Sequence, residues 1–161
     1  MTKAQDKRTL LAYCGLYCGD CMGYTGVIAD AAERFKAVLE QYQFGKTAAA
    51  MFQEELAEYG NLVEMVDFMS GLRCPAVCRS RTGHTSCQAK NCCIGNGYFA
   101  CHECDGFETC DTLRAVHFGI HEEACTLNLK AIRDIGLDAW LESGERHCYW
   151  TLDGDGASGR D

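Results

Sequence analysis

The chain has 161 residues, 47% of them hydrophobic and 24% charged, which is enough apolar material for one ordinary domain and too much for disorder. A formal net charge of −8, with an isoelectric point near 5.1, excludes a protein that holds nucleic acid through phosphate contacts alone. No stretch approaches the ~18 uninterrupted apolar residues of a membrane span. The opening MTKAQDKRTLLAYCGLYC carries charges but no apolar run before a small-residue cleavage site, so the cytoplasm is the expected compartment.

Residues 13–24 form the first zone, a knot of cysteine and glycine reading YCGLYCGDCMGY. Residues 29–72 lack cysteine and have helical periodicity. In the first segment Ile28, Ala31, Phe35, Val38, Leu39 and Tyr42 recur at spacings of three and four and predict a core-facing stripe. Gly45 punctuates it, and Ala48, Ala49, Phe52, Leu56 and Tyr59 follow up to Gly60. Asn61, with Glu64 three residues on, is the expected cap of a third helix bearing Leu62, Met65, Val66 and Met69.

Residues 72–111 hold eight cysteines among Gly, Asn, Ser and Thr, and the only proline, Pro75. Apolar periodicity is weak there, so an irregular zone is expected, and one of ~40 residues needs something other than a hydrophobic core to tie it down. From 112 to 142 helix returns. A short element runs to residue 118, a longer one from His121 to Ile135 repeats Ala124, Leu127/Asn128 and Ala131/Ile132 and stops at Gly136, and a last turn contains Trp140. The Gly/Asp/Ser-rich tail 153–161 is expected to be disordered. The expected fold is therefore mainly α: a single small helical domain over 1–152 with an irregular, cysteine-rich zone stapled by metal.

Thirteen cysteines in 161 residues, about 8%, would signal a disulfide scaffold in a short secreted chain. In a reducing compartment, and with an odd number, the same density points to metal ligands. The strongest local signal is CHEC at residues 101–104, because two residues between thiols let a tight turn bring both sulfurs to one ion. Cys110 follows it. Cys74, Cys78, Cys87 and the neighbours Cys92 and Cys93 precede it, and eight thiols would close two tetrahedral sites by number. Cys14, Cys18 and Cys21 would share one face if their segment were helical, with a fourth ligand supplied from elsewhere. Their spacing also resembles the cluster motif of radical S-adenosylmethionine enzymes. The long helical stretch that follows lacks the strand alternation those enzymes use.

Zinc is the expected metal, and an iron–sulfur cluster is the alternative, since cysteines in fours hold either. Among the histidines, His102 and His117 lie nearest the thiols. Cys125, in an apolar helical stripe, and Cys148, beside Tyr149 and Trp150, read as packing residues. The run 72–102 has no acid but contains Arg73, Arg79, Arg81 and Lys90, which fits cations offsetting negatively charged thiolate sites. No Ser/His/Asp set, phosphate-binding loop or nucleophile elbow is present, so a binding or adaptor module with a protein partner is expected rather than an enzyme.

The segments CGLYCGDCMGYTG, CPAVCRSRTGHTSC and CQAKNCCIGNGYFACHECDGFETCDTL resemble a family of cysteine-rich prokaryotic proteins known as domain of unknown function 3795. The later LNLKAIRDIGLDAWLESGERH is similar too. The resemblance implies that Cys14, Cys18, Cys21, Cys74, Cys78, Cys87, Cys92, Cys101, Cys104 and Cys110 are the recurring cysteines, and that Cys93, Cys125 and Cys148 are incidental. Many family members carry C-x-x-C where this chain has the longer Cys74-Pro-Ala-Val-Cys78. The resemblance supports metal binding and implies no reaction.

Overall fold

The computed structural model describes residues 6–117 and 119–152, so the expectation for the tail 153–161 lies outside the described residues. The described residues are mainly helical, with no strand among them. Among the described residues no helix is long and apolar enough to cross a membrane. Where the sequence reads one unit over 1–152, the chain groups into two compact units: a central one, Asp20–Pro75, and a terminal one made of Met1–Gly19 and Ala76–Asp161.

In the central unit the helices are α1 (Met22–Thr25), α2 (Val27–Gln41), α3 (Phe44–Met51) and α4 (Tyr59–Ser70). Helix α2 packs on α4, and the side chains that bury are Ala29 and Ala32 on the former and Val66 on the latter. This corrects the predicted stripe, because Ile28, Phe35, Val38 and Tyr42 are exposed. Small alanines let two helices approach closely, and the rotation that seats them turns the large apolar residues outward. That rotation also brings Lys36 to within 2.6 Å of Asp67, and Arg73 to 2.5 Å from Asp30 and 3.3 Å from Glu33. Exposed ion pairs contribute only ~0–1 kcal/mol each, so the alanine seam is the larger determinant. Helix α4 begins two residues before the expected cap. The Asn61 amide donates to the Glu58 carboxylate and is not used as a backbone cap.

The terminal unit contains α5 (Gln88–Asn96), α6 (Asp111–Val116), α7 (Glu122–Ile135), α8 (Leu137–Ser143) and α9 (Tyr149–Leu152), with single turns of 3₁₀ helix at Lys7–Leu10, Cys101–Glu103 and Phe107–Thr109. Helix α5 lies inside the zone expected to be irregular and is short and weakly amphipathic. It holds because Ala89, Lys90 and Cys93 are buried along it. Helix α7 starts after His121 and ends at Gly136, as its periodicity predicts. It feeds two apolar clusters. Ile132 packs with Leu11, Tyr17, Ala100, Trp140 and Leu141, while Leu129 packs with Ala89, Phe107 and Leu113. Each such side chain contributes roughly 1.5–3 kcal/mol when fully buried.

A buried polar residue then fixes how the chain crosses α7. Asn128 is 2% exposed. Its Nδ2 donates to the Gly15 carbonyl at 3.2 Å and to the His147 carbonyl at 2.9 Å, and its Oδ1 accepts from the His147 N–H at 2.8 Å. Gly15 lies so close to the helix that a Cβ there would sit 2.6 Å from the Cys125 carbonyl oxygen and 2.8 Å from Leu129 Cγ, and its φ is +93°. Only glycine allows that approach. Replacing Asn128 by Ala leaves one buried and two partly buried backbone groups without this partner and should destabilise the terminal unit by about 2–4 kcal/mol. Asn96→Ala, at an exposed position, should change stability by less than about 0.5 kcal/mol. Denaturant unfolding of the two variants checks this, and equal stabilities would contradict it.

Candidate metal centre

The crossing at α7 brings three ligand-bearing residues together. Cys14 precedes Gly15, Cys125 lies one turn before Asn128, and His117 follows α6. One ligand atom from each lies within 4.8 Å of the others. His117 and Cys125 are each 1% exposed, and Cys14 is half-buried. His117 Nε2 donates to the Cys14 carbonyl at 3.2 Å, which leaves the lone pair on Nδ1, and that buried atom has no hydrogen-bond partner among the described residues. A metal-binding histidine has this arrangement, with one ring N–H on a carbonyl and the other nitrogen free for the ion.

The three groups share protons. A hydrogen bond from Cys125 holds the Cys14 thiol well below its ordinary range, against the opposing effect of burial, and His117 acts in the same direction. The Cys125 thiol is raised by that same bond to Cys14 and by burial. Burial by itself would lower His117, but its hydrogen bond to Cys14 and the Cys14 charge raise it overall. Of the three, Cys14 is the group whose ionised form these contacts favour, and the thiolate is the form that binds metal.

Four of the remaining thiols form two pairs. In the terminal unit Cys93 and Cys101 lie 3.5 Å apart, sulfur to sulfur. The Cys18 thiol is lowered to about 7, chiefly by a hydrogen bond from Cys78, whose own thiol is raised by that bond and by burial. Cys14, Cys87, Cys101, Cys104 and Cys110 all pack around the cluster of Ala89, Phe107, Leu113 and Leu129. The CHEC turn has the expected tight form, with the Cys104 N–H bonded to the Cys101 carbonyl at 3.0 Å. Arg133 of α7 anchors it by donating to the carbonyls of His102 at 2.9 Å and Cys104 at 2.6 Å. In the central unit the sulfurs of Cys21 and Cys74 both border Gly23, where a Cβ would stand 3.8 Å and 3.4 Å from them.

Three expectations change. Cys14 and Cys18 do not share a helix face, because residues 11–17 form an isolated bridge between Leu11 and Tyr17, and each of the two thiols has its own partner. Of the adjacent pair on α5, Cys93 is buried against Cys101, and Cys92 is exposed beside the Asn96 amide. Cys125, read as a packing residue from the apolar stripe of its helix, lies beside Cys14 and His117. No local spacing signals that group, because its members are far apart in sequence.

The cations also sort themselves. Arg73 pairs with carboxylates, but Arg79 donates to the carbonyls of Leu11 at 2.5 Å and Phe99 at 2.7 Å, with its guanidinium 3.8 Å from the Phe99 ring centroid. Lys90, 8% exposed, donates to the carbonyls of Ser80 at 3.0 Å and Gly83 at 2.6 Å. Among the described residues neither has a carboxylate within ion-pair distance, and Lys90 lines a cavity of about 440 Å³ with Cys14, Cys78, Cys87, His84 and His121.

Neither a curated protein nor a solved structure matches this chain. A family model does match, over residues 10–115, and its description is a protein of unknown function, DUF3795. The match includes Cys14 and every cysteine up to Cys110, and it ends before His117 and Cys125. With about two thirds of its length matched, the chain belongs to the DUF3795 family.

Proposed function

We propose that the chain is a zinc protein of reducing compartments such as the cytoplasm, in which the metal is structural and the folded surface serves as a binding or adaptor module. The observation that carries the reading is the buried group Cys14, His117 and Cys125, with a low-lying thiolate and an imidazole nitrogen that has no other partner. A mixed sulfur and nitrogen set suits zinc, which takes thiolate and imidazole ligands in tetrahedral sites. Iron–sulfur clusters are held mostly by four thiolates. The pairs Cys93–Cys101 and Cys18–Cys78, and the thiols Cys87, Cys104 and Cys110 around Phe107, supply further ligands, as do Cys21 and Cys74 of the central unit. Cys92 belongs to the proposed set only by its place in the sequence.

Purified under anaerobic, reducing conditions, the protein should carry ~2–3 zinc ions per chain and be colourless. Elemental analysis checks this. Less than one ion per folded chain would sink the reading, and a brown protein with iron and sulfide would replace it with the iron–sulfur alternative.

Cys125→Ser should lose about one ion per chain, because a serine hydroxyl is a poor zinc ligand at neutral pH. Cys92→Ser should keep the full complement, and Cys93→Ser should cost more metal than Cys92→Ser. Equal metal contents in all three variants would count against the assignment.

Chelation should expose residues 72–111 to protease before α7. Structural zinc contributes ~10–16 kcal/mol in peptide systems, and that zone has few large buried side chains besides Phe107. Equal protection with and without chelator would contradict the prediction.

A further inference from the structure

Three ligands leave a tetrahedral ion one position short. The course of the chain after α8 indicates what fills it. His147 is bonded through its backbone to Asn128 by two hydrogen bonds, at 2.8 Å and 2.9 Å. Two residues later the Tyr149 ring packs edge-on against His121, with centroids 5.1 Å apart and planes at 75°. On α7 and its cap, positions 121, 125 and 128 succeed one another at spacings of four and three, which places them on one face. The segment 147–149 therefore runs back along that face, with residue 147 at the level of Asn128 and residue 149 at the level of His121. Residue 148 falls between them, at the level of Cys125, and it is a partly buried cysteine.

We infer that Cys148 completes the set Cys14, His117 and Cys125 to a closed site of three thiolates and one imidazole. The inference rests on the metal-binding reading above and specifies its coordination. The backbone of Cys148 is held in place, with its N–H on the Thr151 hydroxyl at 3.2 Å and that hydroxyl donating to the Cys148 carbonyl at 2.8 Å. Asn128 positions both outer ligands at once, since its amide holds the residue after Cys14 and the residue before Cys148. A set closed in this way has no place for substrate or water on the ion, and it is a structural site. It ties the beginning and the end of the terminal unit to α7.

The full chain, reduced and loaded with cadmium-113, tests this, because NMR gives each bound ion its own resonance and every thiolate replaced by oxygen or nitrogen moves that resonance upfield. Cys125→Ser identifies the resonance of this site by shifting or removing it. The expected result is that Cys148→Ser shifts or removes the same resonance and leaves the others in place. Cys148→His, which keeps a ligand and decides the matter if the serine variant does not fold, should shift that resonance upfield with the ion retained. If the resonance answers to Cys125→Ser but stands unmoved in both Cys148 variants, the fourth ligand is not Cys148 and the three-residue site survives. If no resonance answers to Cys125→Ser, the metal reading of the trio itself is overturned, and the fourth ligand with it.

Discussion

A single buried amide determines where two distant stretches of the terminal unit lie. Asn128 has no route to water and cannot leave its donors and acceptor unsatisfied without a cost of ~1–3 kcal/mol for each buried group. The backbone at Gly15 and at His147 must therefore stay against α7, and the positions of the residues flanking them follow from that. Arg133 does the same for a third stretch one turn further on, gripping two carbonyls of the CHEC turn while its guanidinium covers the Phe107 ring at 4.5 Å. Leu129 and Ile132, between the two polar anchors, supply one residue to each apolar cluster. Helix α7 thus specifies the arrangement with polar contacts and stabilises it with apolar ones.

Two cations of the terminal unit, Arg79 and Lys90, follow a different rule from those that meet carboxylates at the surface, such as Arg114 and Lys130. In the central unit Lys36 and Arg73 meet carboxylates at its surface. In the terminal unit Arg79 and Lys90 are drawn inward onto backbone carbonyls, which solvate a cation without cancelling its charge. A buried charge of one sign raises the cost of burying another of the same sign and lowers that of the opposite sign. Arg79 accordingly helps to lower both Cys18 and Cys93, after the hydrogen bonds from their thiol partners and against burial. The absence of acids from residues 72–102 has a physical sense here, since a carboxylate would compete with thiolate for the same cations.

What the sequence made legible, and what it hid, follows from how far apart the interacting residues lie. Helix α7 and its stop at Gly136 were readable because periodicity and capping are local. The CHEC turn was readable for the same reason, as was the family, from short cysteine-bearing segments. The buried face of α2 was misread because hydrophobicity alone favours Ile28, Phe35 and Val38, whereas close packing on α4 selected Ala29 and Ala32. The partition of the thiols was not legible where it depends on tertiary contacts. Cys92 and Cys93 are indistinguishable by spacing, and only the rotation of α5 separates them. Cys125 sits in an apolar stripe as a small hydrophobe would, and nothing local marks it as the neighbour of a cysteine 111 positions upstream. Asn128 stands in that stripe interchangeably with Leu127, and nothing local announces its burial or its two backbone partners.

The span of each thiol contact sets what a metal ion there can do for the chain. Joining ends separated by n residues removes conformational freedom that grows as the logarithm of n. A link between Cys93 and Cys101 closes only eight residues, worth about 2 kcal/mol of loop entropy, whereas one between Cys14 and Cys125 closes 111, worth about 4 kcal/mol. The short link acts within one helix and the turn after it, where local hydrogen bonds already restrict the backbone. The long link adds to contacts that already hold the segment carrying Cys14: the Leu11–Tyr17 bridge, Arg79 on the Leu11 carbonyl, His117 on the Cys14 carbonyl, the Asn128 amide, and the Cys101 N–H on the Tyr13 carbonyl at 2.9 Å. An ion bound by Cys14, His117 and Cys125 would therefore contribute chiefly by holding the beginning of the terminal unit to α7, and its removal would be felt first at Ala12–Tyr17 and not at the helix itself.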